Sequence, residues 1–211
     1  MRELTEFEHV LLGVICRGAA SGYDLKRRLA TSPLGAYQPS SGALYPALRR
    51  LERRGMLRPR RSGGRASARR RRVLVATALG RGEHRRWIRQ PVDPQTVGRD
   101  LRLHLMRFVM MEGQLLDEEI LAFLHSLRAA LTQFVIEIDR YRASAQLPGR
   151  HPRLALDHGA AIHRASLEWV ARTIAELDEP GDSIGVARAE PPTAIASDPE
   201  AALTADAGIL P

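Results

Sequence analysis

The sequence predicts a mainly α-helical chain with one small β-hairpin, basic at the front and acidic at the back. Three observations carry that prediction. Apolar residues recur at helical spacing through most of residues 1–178, two strand-like runs flank a Gly/Ser/Arg stretch near residue 65, and the charge changes sign near residue 90. Residues 1–90 hold 21 basic and 6 acidic side chains, whereas 91–211 hold 11 and 18. With 211 residues, 44% of them hydrophobic, the chain can bury the core of one or two domains.

The first helix is expected to open at Thr5, because Thr5-Glu6-Phe7-Glu8 has the form of a capping box. Leu4, Phe7, Val10, Leu11, Val14 and Ile15 then make one apolar stripe, and Gly18 ends it. Ser21 can cap a second helix from Gly22 to about Ala30. After a Pro/Gly loop comes a third amphipathic helix, with Leu44, Leu48 and Leu51 facing inward and Tyr45, Arg49 and Arg53 pointing elsewhere. Gly55, following two arginines, ends it. Pro46 conflicts with a helix capped at Ser41, since proline is comfortable only in a first turn; either one backbone bond is lost or the start is shifted. Residues 56–60 and 70–76 form the two-stranded hairpin, and Thr77 can cap a fourth helix through Trp87 and Ile88. Three helices, a basic hairpin and a fourth helix make a winged helix-turn-helix pattern over residues 1–90.

Pro91 and Pro94 mark the boundary to a second region, 91–178. Its first helix is apolar on two faces, one with Leu101, Leu105 and Phe108 and the other with Leu103, Met106 and Met110. Its central helix carries a heptad seam: Ile120, Leu124, Leu127, Leu131, Phe134, Ile138 and Tyr141. Beyond Pro148-Gly149 and Pro152, a third helix continues with Leu167, Val170, Ile174 and Leu177. From Glu179 to Pro211 the composition turns to Ala, Pro, Gly, Asp and Glu without periodicity, which predicts a flexible acidic tail.

A positive front half suits the phosphate backbone of nucleic acid, because neutralising phosphates releases condensed counterions. Four segments make the reading more specific: Ser21-Gly22-Tyr23-Asp24-Leu25, Ser41-Gly42-Ala43-Leu44-Tyr45-Pro46-Ala47-Leu48-Arg49-Arg50-Leu51-Glu52, Gly55, and Thr77-Ala78-Leu79-Gly80-Arg81. In these residues the chain resembles the PadR family of transcriptional regulators. The resemblance implies a winged-helix DNA-binding domain, a helical dimerisation region behind it and, usually, a repressor. The wing departs from the family pattern at Leu74 and Ala76, where an aromatic residue and leucine are common.

The expected binding places Ser40, Ser41, Tyr45, Arg49 and Arg53 of the third helix at the major groove of double-stranded DNA, Tyr23 and Lys26 on its backbone, and Arg65 and Arg69 of the wing on phosphates or the minor groove. Tyr45 has an alternative role, pinning the helix as a half-buried residue. Homodimerisation is expected through Leu101, Leu105, Phe108, Leu124, Leu131, Ile138 and Ile174; a self-contained helical bundle is the competing arrangement. A small-molecule effector would engage Trp87 or Trp169, although an isolated tryptophan is more often a packing anchor than a ligand platform.

No catalytic constellation, metal site or cofactor motif emerges. The seven histidines are scattered and read as surface residues, and Cys16 reads as a small buried hydrophobe. A single cysteine, the opening Met1-Arg2-Glu3 and the lack of an apolar run near 18 residues point to a cytoplasmic protein. A winged-helix RNA-binding module and a helical protein-interaction adaptor are the alternatives. The deep, narrow major groove of A-form RNA leaves the first little to read.

Overall fold

A computed structural model describes residues 3–31, 40–60, 72–144 and 149–178, apart from the side chains of Thr31 and Ser41. These belong to the first of two compact units, Met1–Glu179; the second, Pro180–Pro211, lies outside the described residues together with the predicted tail. The element order is α1 (Glu6–Cys16), β1 (Ala20–Ser21), α2 (Gly22–Thr31), α3 (Ser41–Arg53), β2 (Leu57–Pro59), β3 (Val73–Ala76), α4 (Ala78–Arg89), α5 (Val97–Met111), α6 (Asp117–Ala143) and α7 (Arg150–Asp178).

The expected caps form. Thr5 Oγ1 accepts from the Glu8 amide at 3.3 Å, and the Glu8 carboxylate accepts from the Thr5 amide at 2.9 Å. Helix α1 is buried well beyond one stripe, because α3, α4, α5 and β3 all pack on it and enclose His9, Leu12 and Gly13 as well. Helix α3 closes in a Schellman motif: Gly55 takes φ +70°, its amide donates to Glu52 O at 2.9 Å, and the Met56 amide donates to Leu51 O at 3.0 Å. Thr77 caps α4 by accepting from the Gly80 amide at 3.1 Å, and its hydroxyl donates to Gly55 O at 2.7 Å. One residue thus ties the end of α3 to the start of α4.

Among the described residues the sheet has three strands, not two. β1 joins antiparallel to β3, pairing Ala20 with Leu74 and Ser21 with Val73, in the order β1-β3-β2. Leu74 and Ala76 point into the core, so the positions that depart from the family pattern are filled by small and medium apolar residues. Residues 61–71, with the wing positions Arg65 and Arg69, lie outside the described residues.

Helices α5 and α7 both pack on α6, and α5 and α6 also meet α4 while α5 meets α1. Ile120, Leu124, Leu127, Leu131 and Ile138 of the α6 seam are buried, while Tyr141 is 48% exposed. By length and composition α6 could cross a membrane, with a mean hydropathy of 1.3 over its most apolar window. Its apolar stripe is instead covered by α5 and α7, as befits a central packing helix. Helix α7 starts before Pro152, not after it, because proline in a first turn leaves no amide unpaired. The link after α4 is anchored: the Val92 amide donates to Ser126 Oγ at 2.9 Å.

Four of the seven histidines, His9, His84, His104 and His163, are buried, which corrects their reading as surface residues. Imidazole is tolerated in a core as the neutral form, and here ring stacking supports it. His9 lies parallel to Trp87, with centroids 4.7 Å apart. Arg107, also buried, donates to Ile88 O at 3.1 Å and to Gln90 O, with its guanidinium over the Phe123 ring at 4.8 Å. It thereby satisfies carbonyls at the C-terminal end of α4 from α5. Burial lowers its pKa to about 10, which leaves it cationic.

Candidate nucleic-acid interface

Helix α3 divides its residues as a recognition helix must. Leu44, Ala47, Leu48 and Leu51 are buried, whereas Tyr45, Arg49 and Arg53 are exposed on the outward side. Its cap is Ser40, one residue before the expected Ser41. The Ser40 hydroxyl accepts from the Ala43 amide at 3.3 Å and is exposed at the helix start, where backbone amides and the dipole favour anions. Ser41 is the first helical residue. Pro46 therefore sits inside α3, and the helix forgoes the bond that its missing amide would have made.

Tyr45 is half-exposed and also packs against α2. It is 46% exposed, yet a Cβ placed on Gly22 would stand 2.6 Å from its ring, so the bare Gly22 backbone lets α2 and α3 approach through this tyrosine. Tyr23 and Lys26, near the start of α2, are exposed. The Asp24 carboxylate closes that start by accepting from the Ser21 amide at 3.0 Å and the Ser21 hydroxyl at 2.6 Å.

Beside the C-terminal half of α3, an open cleft of about 510 Å³ is lined by Pro46, Arg49, Arg50, Glu52, Arg53 and Arg72. Of its four arginines, Arg50 and Arg72 were not among the expected DNA contacts. Arg50 was legible as an i,i+4 neighbour of Arg54, but its partner Glu8 lies 42 positions away. No local signal connects such a pair.

The expected dimerisation residues fall into two groups. Leu124, Leu131, Ile138 and Ile174 are buried within the subunit itself, because α5 and α7 already cover the seam of α6. Leu101, Leu105 and Phe108 on α5 are only partly covered. The two tryptophans also differ. Trp87 is wedged between His9 and Arg107 as a packing anchor. Trp169 meets Phe108 edge to face at 5.5 Å, and Phe108 lines a cavity of about 330 Å³ with Arg17, Val109, Glu112, Asp117, Ile120 and Leu177. Cys16 is partly buried, and burial raises its thiol to about 11, which suppresses the thiolate a nucleophile would need.

Residues 11–86, from α1 to α4, match the family model described as the Transcriptional regulator PadR-like family. Over that segment the chain is similar to the PadR-like family. The matched segment contains α3, Tyr45, Gly55, Thr77 and Gly80 and has a winged-helix fold. No curated relative matches by sequence. Among solved structures, the chain is similar to Bacillus subtilis PadR in complex with operator DNA, at 16% identity and a TM-score of 0.39, covering 83% of this chain and 99% of that one. It is similar to the same protein in complex with p-coumaric acid, at 18% identity and TM-score 0.38, covering 83% and 100%. It also resembles the PadR-like regulator BC1756 from Bacillus cereus, at 21% identity and TM-score 0.34, covering 81% and 96%.

Proposed function

We propose that this PadR-like regulator binds specific double-stranded DNA sequences as a homodimer, represses transcription in the cytoplasm, and is released by a small-molecule effector. The observation that carries the reading is the division of α3, whose leucines are buried while Tyr45, Arg49 and Arg53 are presented outward beside an arginine-lined cleft. In this reading residues 1–90 read DNA, with Ser40, Ser41, Tyr45 and Arg49 in the major groove, and 91–178 pair two subunits through the part-covered face of α5 with Leu101, Leu105 and Phe108. The role is binding, not catalysis.

Fluorescence anisotropy with labelled duplexes tests it. Binding to operator-containing duplex DNA is expected at two chains per site, weakening by about one unit of log–log slope for each phosphate neutralised as salt rises. Stronger binding to duplex RNA of the same sequence, or affinity indifferent to salt, overturns it. The cavity beside Phe108 suits the effector, because its apolar walls carry a few charged groups of both signs. A ligand that loosens DNA is therefore expected to change the emission of Trp169 in a Trp87→Phe background. Release of DNA with unchanged Trp169 emission would move the effector elsewhere.

A further inference from the structure

The four arginines of the cleft are not equivalent. Arg50 Nε donates to Glu8 Oε1 at 2.5 Å, and that carboxylate belongs to a side chain only 4% exposed. Glu8 cannot swing away, because its other oxygen holds the Thr5 amide in the cap of α1. Burial pushes the Glu8 carboxyl up, but the Thr5 amide, Arg50 and the Thr5 hydroxyl outweigh it and keep the group below the ordinary carboxylate value. Arg72 Nη2 donates to Glu52 Oε1 at 2.7 Å, across the base of the wing. Arg49 and Arg53 are exposed and have no ion-pair partner among the described residues.

We propose that Glu8 and Glu52 are built-in counterions that set how strongly the reading head holds the DNA backbone: they neutralise Arg50 and Arg72 and leave Arg49 and Arg53 to engage phosphodiester oxygens. A guanidinium already matched by a fixed carboxylate carries little of the condensed counterion exchange that drives backbone binding. Sequence-independent affinity is thereby restrained, and the discrimination between operator and bulk DNA, which is a ratio of the two affinities, widens. The Glu8–Arg50 pair also fixes α3 on α1, so the restraint and the aim of the recognition helix come from one contact.

This inference rests on the duplex DNA reading above. The test is anisotropy of a mixed-sequence DNA duplex over a graded KCl series, with the full chain. Arg49→Met and Arg53→Met are each expected to flatten the log–log salt slope by about one unit, whereas Arg50→Met leaves it unchanged. Glu8→Gln, which can still serve the Thr5 cap, is expected to steepen the slope by about one unit and to tighten mixed-sequence binding. If wild-type protein binds duplex DNA but Arg50→Met flattens the slope as much as Arg53→Met does, the counterion role falls and the DNA reading stands. Should Glu8→Gln lose its cooperative thermal transition, the Arg50/Arg53 contrast decides alone. If wild-type protein ignores duplex DNA in dilute buffer, both fall.

Discussion

Replacing Gly80 with alanine is expected to lower folding stability by about 3 kcal/mol or more, although glycine to alanine inside a helix ordinarily stabilises by up to about 1 kcal/mol. A Cβ at this position would stand 2.2 Å from the carbonyl oxygen of Met56 and 3.2 Å from Leu12 Cδ1. The carbonyl cannot retreat, since it accepts from the Thr77 amide at 3.0 Å while the Met56 amide closes α3. The clash must therefore push α4 off the α3–β2 turn. Gly82, two residues on, supplies the control, for an added Cβ there meets nothing within 4 Å. Urea midpoints should fall sharply for Gly80→Ala and hold or rise for Gly82→Ala. Equal midpoints for the two variants would mean that the close approach carries no energetic weight.

The second large effect is expected in acid. Burial lowers His9, His84 and His104 to about 4; neighbouring charges contribute less, with Glu83 and Glu8 opposing at His9, His9 and Arg17 reinforcing at His84, and Arg107 reinforcing at His104. In the unfolded chain a histidine titrates near 6.5. Above that value neither state binds the proton, and these residues add no pH dependence. Between about 6.5 and 4 the unfolded chain takes up protons that the folded chain refuses, so stability falls as pH falls, by about 1.4 kcal/mol per pH unit for each histidine. Denaturant midpoints at pH 8.5, 7.5, 5.5 and 4.5 should be level across the first pair and then drop. Both ring nitrogens of His84 are buried without hydrogen-bond partners among the described residues, so His84→Met is expected to fold at least as well at neutral pH and to lose one histidine's share of the acid slope. An unchanged slope in that variant would remove His84 from the account.

Much of the fold was written in local chemistry. Thr5 and Thr77 sat three residues ahead of the groups they cap, Gly55 stood where a left-handed residue ends a helix, and the leucines of α3 and α6 kept helical spacing; all of these are short-range signals. What escaped depended on partners far along the chain. β1 has two residues and exists because β3 passes beside it, and His9 reads as polar until Trp87 stacks on it. The seam of α6 announced a packing surface without saying whose, and α5 and α7 of the same chain supply the cover for Leu124 and Leu131. In the candidate interface the outward residues Tyr45, Arg49 and Arg53 were legible from periodicity. The neutralisation of Arg50 was not, because it depends on how α1 crosses α3.

Arg107 has a consequence for how the molecule responds to its ionic surroundings. Its charge is met by backbone carbonyls at the end of α4 and by an aromatic face, and the side chain itself is buried, so dissolved ions have little access to the attachment. The exposed guanidinium groups of Arg49 and Arg53 sit at the opposite extreme, open to every passing anion. Brine strong enough to strip this protein from a column of immobilised duplex should therefore elute it with its helices still locked together, ready to rebind on dilution.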